Sequence, residues 1–329
     1  MLNLLVSRLA GGFVVLFVVS VLTFGLLAAA GGDALTALRS DPLISAETLD
    51  SLERIYGLDQ PVYVRYGRWL AGVLRGRMGE SIYFRAPVSR ILLPRLLSTL
   101  TLAALALMIA VSVALWLGVA AARRRNNLAD RVSGWAILLG TSTPRIVLAL
   151  FALALLARTN IVASGGGGFW GAGSLLQIFV AAVVLSVPLV ALFLAQLRDG
   201  LREGLNEPFV QVARAKGLPE RTVILRHALR SALNPLITLF GTSLGGIVSG
   251  SVIVETVLGF PGLGQLSVTA VRSRDVPLLM SVVLVSATAV LVGNLIGDLL
   301  LRLNDPRLRQ RGSQSSSSSL SNATTPSAP

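Results

Sequence analysis

A chain of 329 residues that is 53% hydrophobic and only 14% charged, with a mean hydropathy of +0.73, is too apolar for water to be its only solvent, because soluble domains carry about 25% charged residues. It has no cysteine and a single histidine, His227, which excludes disulfides, Fe–S clusters, thiolate metal sites and any site built on two imidazoles. The net charge of +13 in so apolar a chain points first to arginines in cytoplasmic loops rather than to a nucleic-acid partner.

No charged residue occurs between Arg8 and Asp33, Arg95 and Arg123, Arg158 and Arg198, Arg230 and Glu255, or Asp275 and Asp298. Each gap exceeds the ~20 residues a helix needs to cross a bilayer. The expected fold is an all-α integral membrane protein with six transmembrane helices, near 9–30, 98–122, 132–157, 174–197, 236–256 and 277–301. The first run is longer than the apolar core of a signal peptide, about 7–15 residues, and reads as a span. The third carries Pro144 and Arg145 at its centre.

With the amino terminus inside, Arg8, Arg123, Arg124, Arg125, Arg131, the basic residues of loop 198–235 and Arg302, Arg307, Arg309 and Arg311 all fall on the cytoplasmic face. The short outer loops hold only Arg158, Arg272 and Arg274, so the positive-inside bias puts both termini in the cytoplasm. Four segments follow: an N-terminal transmembrane helix over 1–30, an extracytoplasmic segment over 31–97, a five-helix core over 98–311, and a tail over 312–329. Within 31–97, Tyr63, Tyr66, Trp69, Leu70 and Val73 recur at helical spacing, which predicts an amphipathic helix on the membrane surface, either a small cap packed on the bundle or a direct contact for substrate. The Ser-rich tail has almost nothing to bury, so disorder is expected. Its Asn322, Ala323 and Thr324 match a glycosylation acceptor only by chance on a cytoplasmic tail.

Arg145 sits in an otherwise uncharged span, where an isolated charge costs at least ~2.5 kcal/mol. Either it lines a pathway and attracts a solute carboxylate, or it pairs with Glu255, Asp298 or a carbonyl, or snorkels to the interface. Asp298 precedes Arg302 by one turn, the spacing of an i,i+4 pair, with a place on the pathway as the alternative reading of an intramembrane acid. The GTSLGGIVSGS run, with Gly241, Gly245, Gly246 and Gly250, suits close helix packing, and its hydroxyls Thr242, Ser243 and Ser249 are candidates for pathway contacts. Phe260, Pro261 and Gly262 read as a tight outer turn.

The most informative stretch runs from Asn206 to Thr238. Pro208 suits the first turn of a helix, Phe209 to Lys216 continue it, and Gly217 is placed to end it in a left-handed cap. A second helix starts near Pro219 and Glu220. Phe209, Val212, Ala213 and Lys216 are expected on one side, either to fit a partner's groove or to rest on acidic lipid.

This stretch, VARAKGLPERTVILRHALRSALNP, resembles the EAA loop of permease subunits of ABC importers, specifically the dipeptide/oligopeptide/nickel permease family and the first of its two permease types. YGLDQPVYVRYGRWLAGVLRGRMGES, VIVETVLGFPGLG from Val252 to Gly264, RDVPLL from Arg274 to Leu279 and NDPRLR from Asn304 to Arg309 are similar to further family landmarks, so the likeness covers about residues 1–311. Gln211 stands where Glu is usual, Arg230 where many relatives carry Pro, and Arg145 where a small polar residue is usual. The resemblance implies a second homologous permease subunit, two ABC ATPase subunits and an extracytoplasmic solute-binding protein as partners, in a bacterial or archaeal cytoplasmic (inner) membrane, and no nucleic acid. It assigns Phe209, Val212, Ala213, Arg214, Ala215, Lys216, Gly217 and Leu218 to coupling with the ATPase. Lys216, the one lysine, is followed by Gly217 rather than Ser or Thr, so the chain has no P-loop. ATP and magnesium therefore belong to the partners, and no cofactor is expected on this chain. The implied solute is a peptide, with a metal chelate, an opine-like compound or a saccharide as alternatives. An intramembrane enzyme lacks paired catalytic groups, and a simple channel has no use for the loop.

Overall fold

The computed structural model describes residues 2–31, 35, 39, 46–122, 127–158 and 172–304. The expectations for Arg123, Arg124 and Arg125, for most of the NDPRLR run and for the Ser-rich tail lie outside the described residues. In chain order the elements are α1 (Leu2–Ala29), α2 (Ala46–Tyr56), α3 (Val62–Leu74), a two-stranded hairpin β1 (Glu80–Ser81) and β2 (Ala86–Pro87), α4 (Val88–Ala122), α5 (Leu128–Ser142), α6 (Arg145–Arg158), α7 (Ala172–Asn206), α8 (Pro208–Ala215), a helical turn Glu220–Thr222, a π-helical segment Val223–Ala228, α9 (Leu229–Leu258), α10 (Leu263–Arg272) and α11 (Val276–Asn304).

Five helices are long and apolar enough to cross a membrane: Val6–Ala29, Val88–Ala122, Leu175–Asn206, Pro235–Leu258 and Val276–Leu300. The expected third span over 132–157, with Pro144 at its centre, is a broken one. It consists of α5 and α6, bent by 101° at the break. Pro144 explains the break: it has no N–H to donate and forces Thr143 away from the helical region. Pro94, Pro188 and Pro235 lie within α4, α7 and α9 without ending them. Outward-facing side chains of α1, such as Leu9, Phe13, Phe17, Leu22 and Leu26, are apolar and exposed, as expected where lipid is the solvent.

The chain forms two compact units. One comprises Met1–Met108, Thr143–Ser186 and Gly246–Leu291; the other comprises Ile109–Ser142, Val187–Gly245 and Val292–Pro329. Helices α4, α7, α9 and α11 contribute a segment to each.

In the first unit, α3 docks on the end of α1. Tyr66 shares a 2.9 Å hydrogen bond with Ser20, stacks edge-on against Phe24 at 5.3 Å and lies 6.1 Å from Trp69. Asp275 fastens the hairpin to α11: it accepts from Ser81 Oγ at 2.6 Å and the Tyr83 N–H at 3.0 Å, and caps α11 through the Leu278 N–H at 3.1 Å. Beneath them Val88, Leu92, Leu263, Leu266, Leu278 and Val282 form a buried apolar cluster.

Glu255 near the end of α9 is fully buried. Its Oε1 accepts from Thr99 Oγ1 and Ser251 Oγ, each at 2.8 Å. Its Oε2 accepts from the Gly264 N–H at 2.6 Å and the Gln265 N–H at 3.2 Å, so a side chain from one helix caps the amino end of the next. Thr99 in turn accepts from the Leu263 N–H at 2.8 Å. A Cβ on Gly262 would stand against the Glu255 carboxylate, so the turn preceding α10 requires glycine there. In the second unit the backbones of Gly241 on α9 and Gly297 on α11 touch with no room for a Cβ on either, the close approach anticipated for small residues in membrane helices.

Thr99→Val keeps shape but removes a donor to Glu255 and the acceptor for Leu263. A loss of about 1–3 kcal/mol per orphaned group is expected, read as a lowered thermal midpoint of the purified protein. Thr101→Val, where the hydroxyl bonds only its own helix at Leu97, should leave that midpoint near wild type.

Candidate functional site

The segment between α7 and α9 is built from local sequence. After Asn206, Glu207 is extended at ψ 142° and Pro208 opens α8. The helix closes in a Schellman arrangement: the Gly217 N–H bonds the Arg214 carbonyl at 2.9 Å, and the Leu218 N–H bonds the Ala213 carbonyl at 3.3 Å. Gly217 sits at φ +76°, a conformation that favours a residue without a Cβ. Arg214 grips Glu220 across the turn through Nε–Oε2 at 3.2 Å and a second guanidinium nitrogen to Oε1 at 2.6 Å. This hydrogen bond raises the Arg214 pKa above its ordinary value.

Val210, Ala213 and Val223 are buried together with Leu205 packed against them. The expectation that Ala213 shares a face with Phe209, Val212 and Lys216 is therefore corrected: Ala213 faces inward. On the other side Phe209 is 47% exposed, Val212 54% and Leu218 39%, and Ala215 and Lys216 are exposed beside them. Three apolar side chains on so short a loop, displayed by an internally packed helix, make a small exposed surface that none of the described residues covers.

The base of the loop is held by α7. Gly204 abuts the Ala228 carbonyl and Ser231, and Gly200 abuts Ala232. Val223, Ile224 and Ala228 of the π-helical segment are buried, while His227 is half-buried. One contact was missed by the sequence reading, which counted Arg198 and Arg202 only as basic loop residues. Asp130 near the start of α5 lies 2.6 Å from Arg198 and 3.7 Å from Arg202. The available signal was Asn127 three residues ahead: its Oδ1 accepts from the Asp130 N–H at 2.6 Å and starts the helix, a cap pattern.

Within the spans, Arg145 is the first residue of α6 and half-buried. Its guanidinium lies against Gly250 of α9, in space that a Cβ at that position would fill. Among the described residues Arg145 makes no hydrogen bond and no ion pair. Glu255 is not its partner, since both carboxylate oxygens are engaged by the donors above. Asp298 is half-buried and has an interaction of its own; the Arg302 side chain expected to meet it lies outside the described residues. On α9, Thr242 and Ser249 share an exposed edge with Gly246, whereas Ser243 is buried at 7% exposure on another face. The structure thus leaves two of the three hydroxyl candidates accessible and turns the third into the helix packing.

The family described as "Binding-protein-dependent transport system inner membrane component" matches residues 114–310, and that of the membrane component's N-terminal region matches residues 1–89. The chain is 33% identical over 302 residues to the oligopeptide transport system permease protein of Bacillus subtilis, covering 89% of this chain and 95% of that one. It is 32% identical over 311 residues to the dipeptide transport system permease protein of Lactococcus lactis and, separately, to the glutathione transport system permease protein of Salmonella paratyphi A, covering 94% of this chain and 100% of each.

Proposed function

Because this chain belongs to the family of binding-protein-dependent transport system inner membrane components, we propose that it is one permease of a pair that imports peptides across the cytoplasmic membrane. The full-length likeness to permeases named for oligopeptides, dipeptides and glutathione supports that solute class. Two ATPase subunits drive it from the cytoplasmic side, and a binding protein delivers solute from the other. Both termini are cytoplasmic in this reading and residues 31–97 are outside, supported by the arginine bias across the spans.

The observation that carries the coupling role is the exposed pairing of Phe209 and Val212 on α8, a helix whose opposite side is fixed by Val210, Ala213 and Val223. Force applied to the exposed face then reaches α9 without being absorbed inside the loop. Phe209, Val212, Lys216 and Leu218 make the contact; Ala213 and Gly217 hold the shape, and Arg214 braces the turn. Arg145 is the pathway charge. Its lack of a partner among the described residues, in a span where a lone charge costs at least ~2.5 kcal/mol, fits a guanidinium that meets the carboxylate of a passing peptide. Thr242 and Ser249 line the exposed edge of α9 as weaker contacts, and Ser243 belongs to the packing.

Val212→Asp should leave the protein in the membrane with an intact loop, yet abolish co-purification of the ATPases and solute-stimulated hydrolysis. Ala213→Trp should instead damage the loop itself, by the roughly 1–3 kcal/mol of an overpacked site, and show faster proteolysis between 207 and 222. Normal ATPase retention by Val212→Asp sinks the coupling assignment. For the pathway, Arg145→Gln should lower peptide uptake at least tenfold at equal membrane abundance while Arg145→Lys retains much of it; full uptake by the Gln variant removes Arg145 from the pathway. Orientation is read with Ser51→Cys, the sole thiol in a chain that has none. It should react with an impermeant maleimide only from outside.

A further inference from the structure

Where α3 meets the end of α1, a cavity of about 310 Å³ opens beside the hairpin and the start of α11. Its volume lies at the small end of ligand pockets. Four arginines line it, Arg65, Arg68, Arg77 and Arg274, and none of its lining residues is acidic. Arg274 spends one guanidinium bond on the Gly31 carbonyl at 3.1 Å. Arg65, Arg68 and Arg77 make no side-chain hydrogen bond or ion pair among the described residues. Three uncommitted guanidinium groups and no carboxylate in the lining make the cavity complementary to an anionic occupant.

The position of the cavity narrows the chemistry. Phe24, in the last turns of a span that ends at Ala29, forms part of its wall together with Trp69, which places it at a membrane–water interface whichever side that is. On the side of α1 that bears Phe24 the surface is exposed and apolar at Phe17 and Val21, suited to acyl chains running beside the helix. We propose that this cavity binds the headgroup of an anionic phospholipid of the phosphoglycerol type. The phosphate sits among Arg65, Arg68 and Arg77. Choline and ethanolamine headgroups both add a cation that the arginines repel. The bound lipid fixes α3 to the bilayer.

The assembled transporter, purified in detergent, is titrated with phosphatidylglycerol or phosphatidylcholine and the lipid it retains is counted by native mass spectrometry. Phosphatidylglycerol should be retained selectively, and Arg65→Gln with Arg68→Gln should weaken that retention roughly tenfold or more. Arg65→Lys with Arg68→Lys should recover much of it, which a folding defect would not. Equal retention of the two lipids, or unchanged retention by the double Gln variant, overturns the proposal. So does displacement of the lipid by a soluble tripeptide, which would make the cavity part of the solute route.

Discussion

Inside a bilayer a polar group has no water to fall back on, so each must be satisfied by its own chain, and the Glu255 carboxylate shows how much architecture one such demand can organise. Its four donors come from α4, from its own helix and from the amino end of α10. Because the Leu263 N–H bonds Thr99 in turn, the entry of α10 is tied to two spans at once. The sharp Phe260–Gly262 turn holds because Gly262 leaves the carboxylate room. Asp275 repeats the principle for the hairpin and α11. Glu255 serves as a remote helix cap, whereas Asp275 caps the helix it precedes and reaches back to the hairpin.

The positions of the five long spans were legible as uncharged runs, and the broken span as a proline beside an arginine. The helix ends were less legible: α4 begins at Val88 rather than near 98, and α7 runs on to Asn206 past Arg198. Charges mark where the hydrocarbon stops, and nothing obliges a helix to stop there. The left-handed cap at Gly217 was readable because it depends on a few adjacent residues. The inward turn of Ala213 was not, since α8 is apolar on both sides and the choice between them is made by Val223, in a different element. The partners of Glu255 were equally hidden, because Thr99 lies 156 residues away along the chain.

Arg145 and Glu255 carry opposite charges in one unit, which in an apolar medium ordinarily argues for pairing. Saturation of the carboxylate decides otherwise. A buried acid holding four donors gains little from a fifth and loses geometry in acquiring it, so the arginine's charge stays available while the acid becomes scaffold. The same distinction separates the arginines of α8 and α7, which have Glu220 and Asp130 for partners, from those whose guanidinium groups remain uncommitted.

The π-helical segment Val223–Ala228 joins the loop to α9 without a break. A π turn holds more residues than an α turn, so it sets the angular phase between the face displayed by α8 and every side chain further along α9. Removing or adding one residue here turns the downstream helix by about 100°, exchanging the edge that bears Thr242 and Ser249 for a buried one. Single-residue insertions and deletions in this segment are therefore not the minor length changes that a surface connection tolerates. They re-index a whole transmembrane helix against its neighbours, and the loop and α9 can vary in sequence only while their residue count stays fixed.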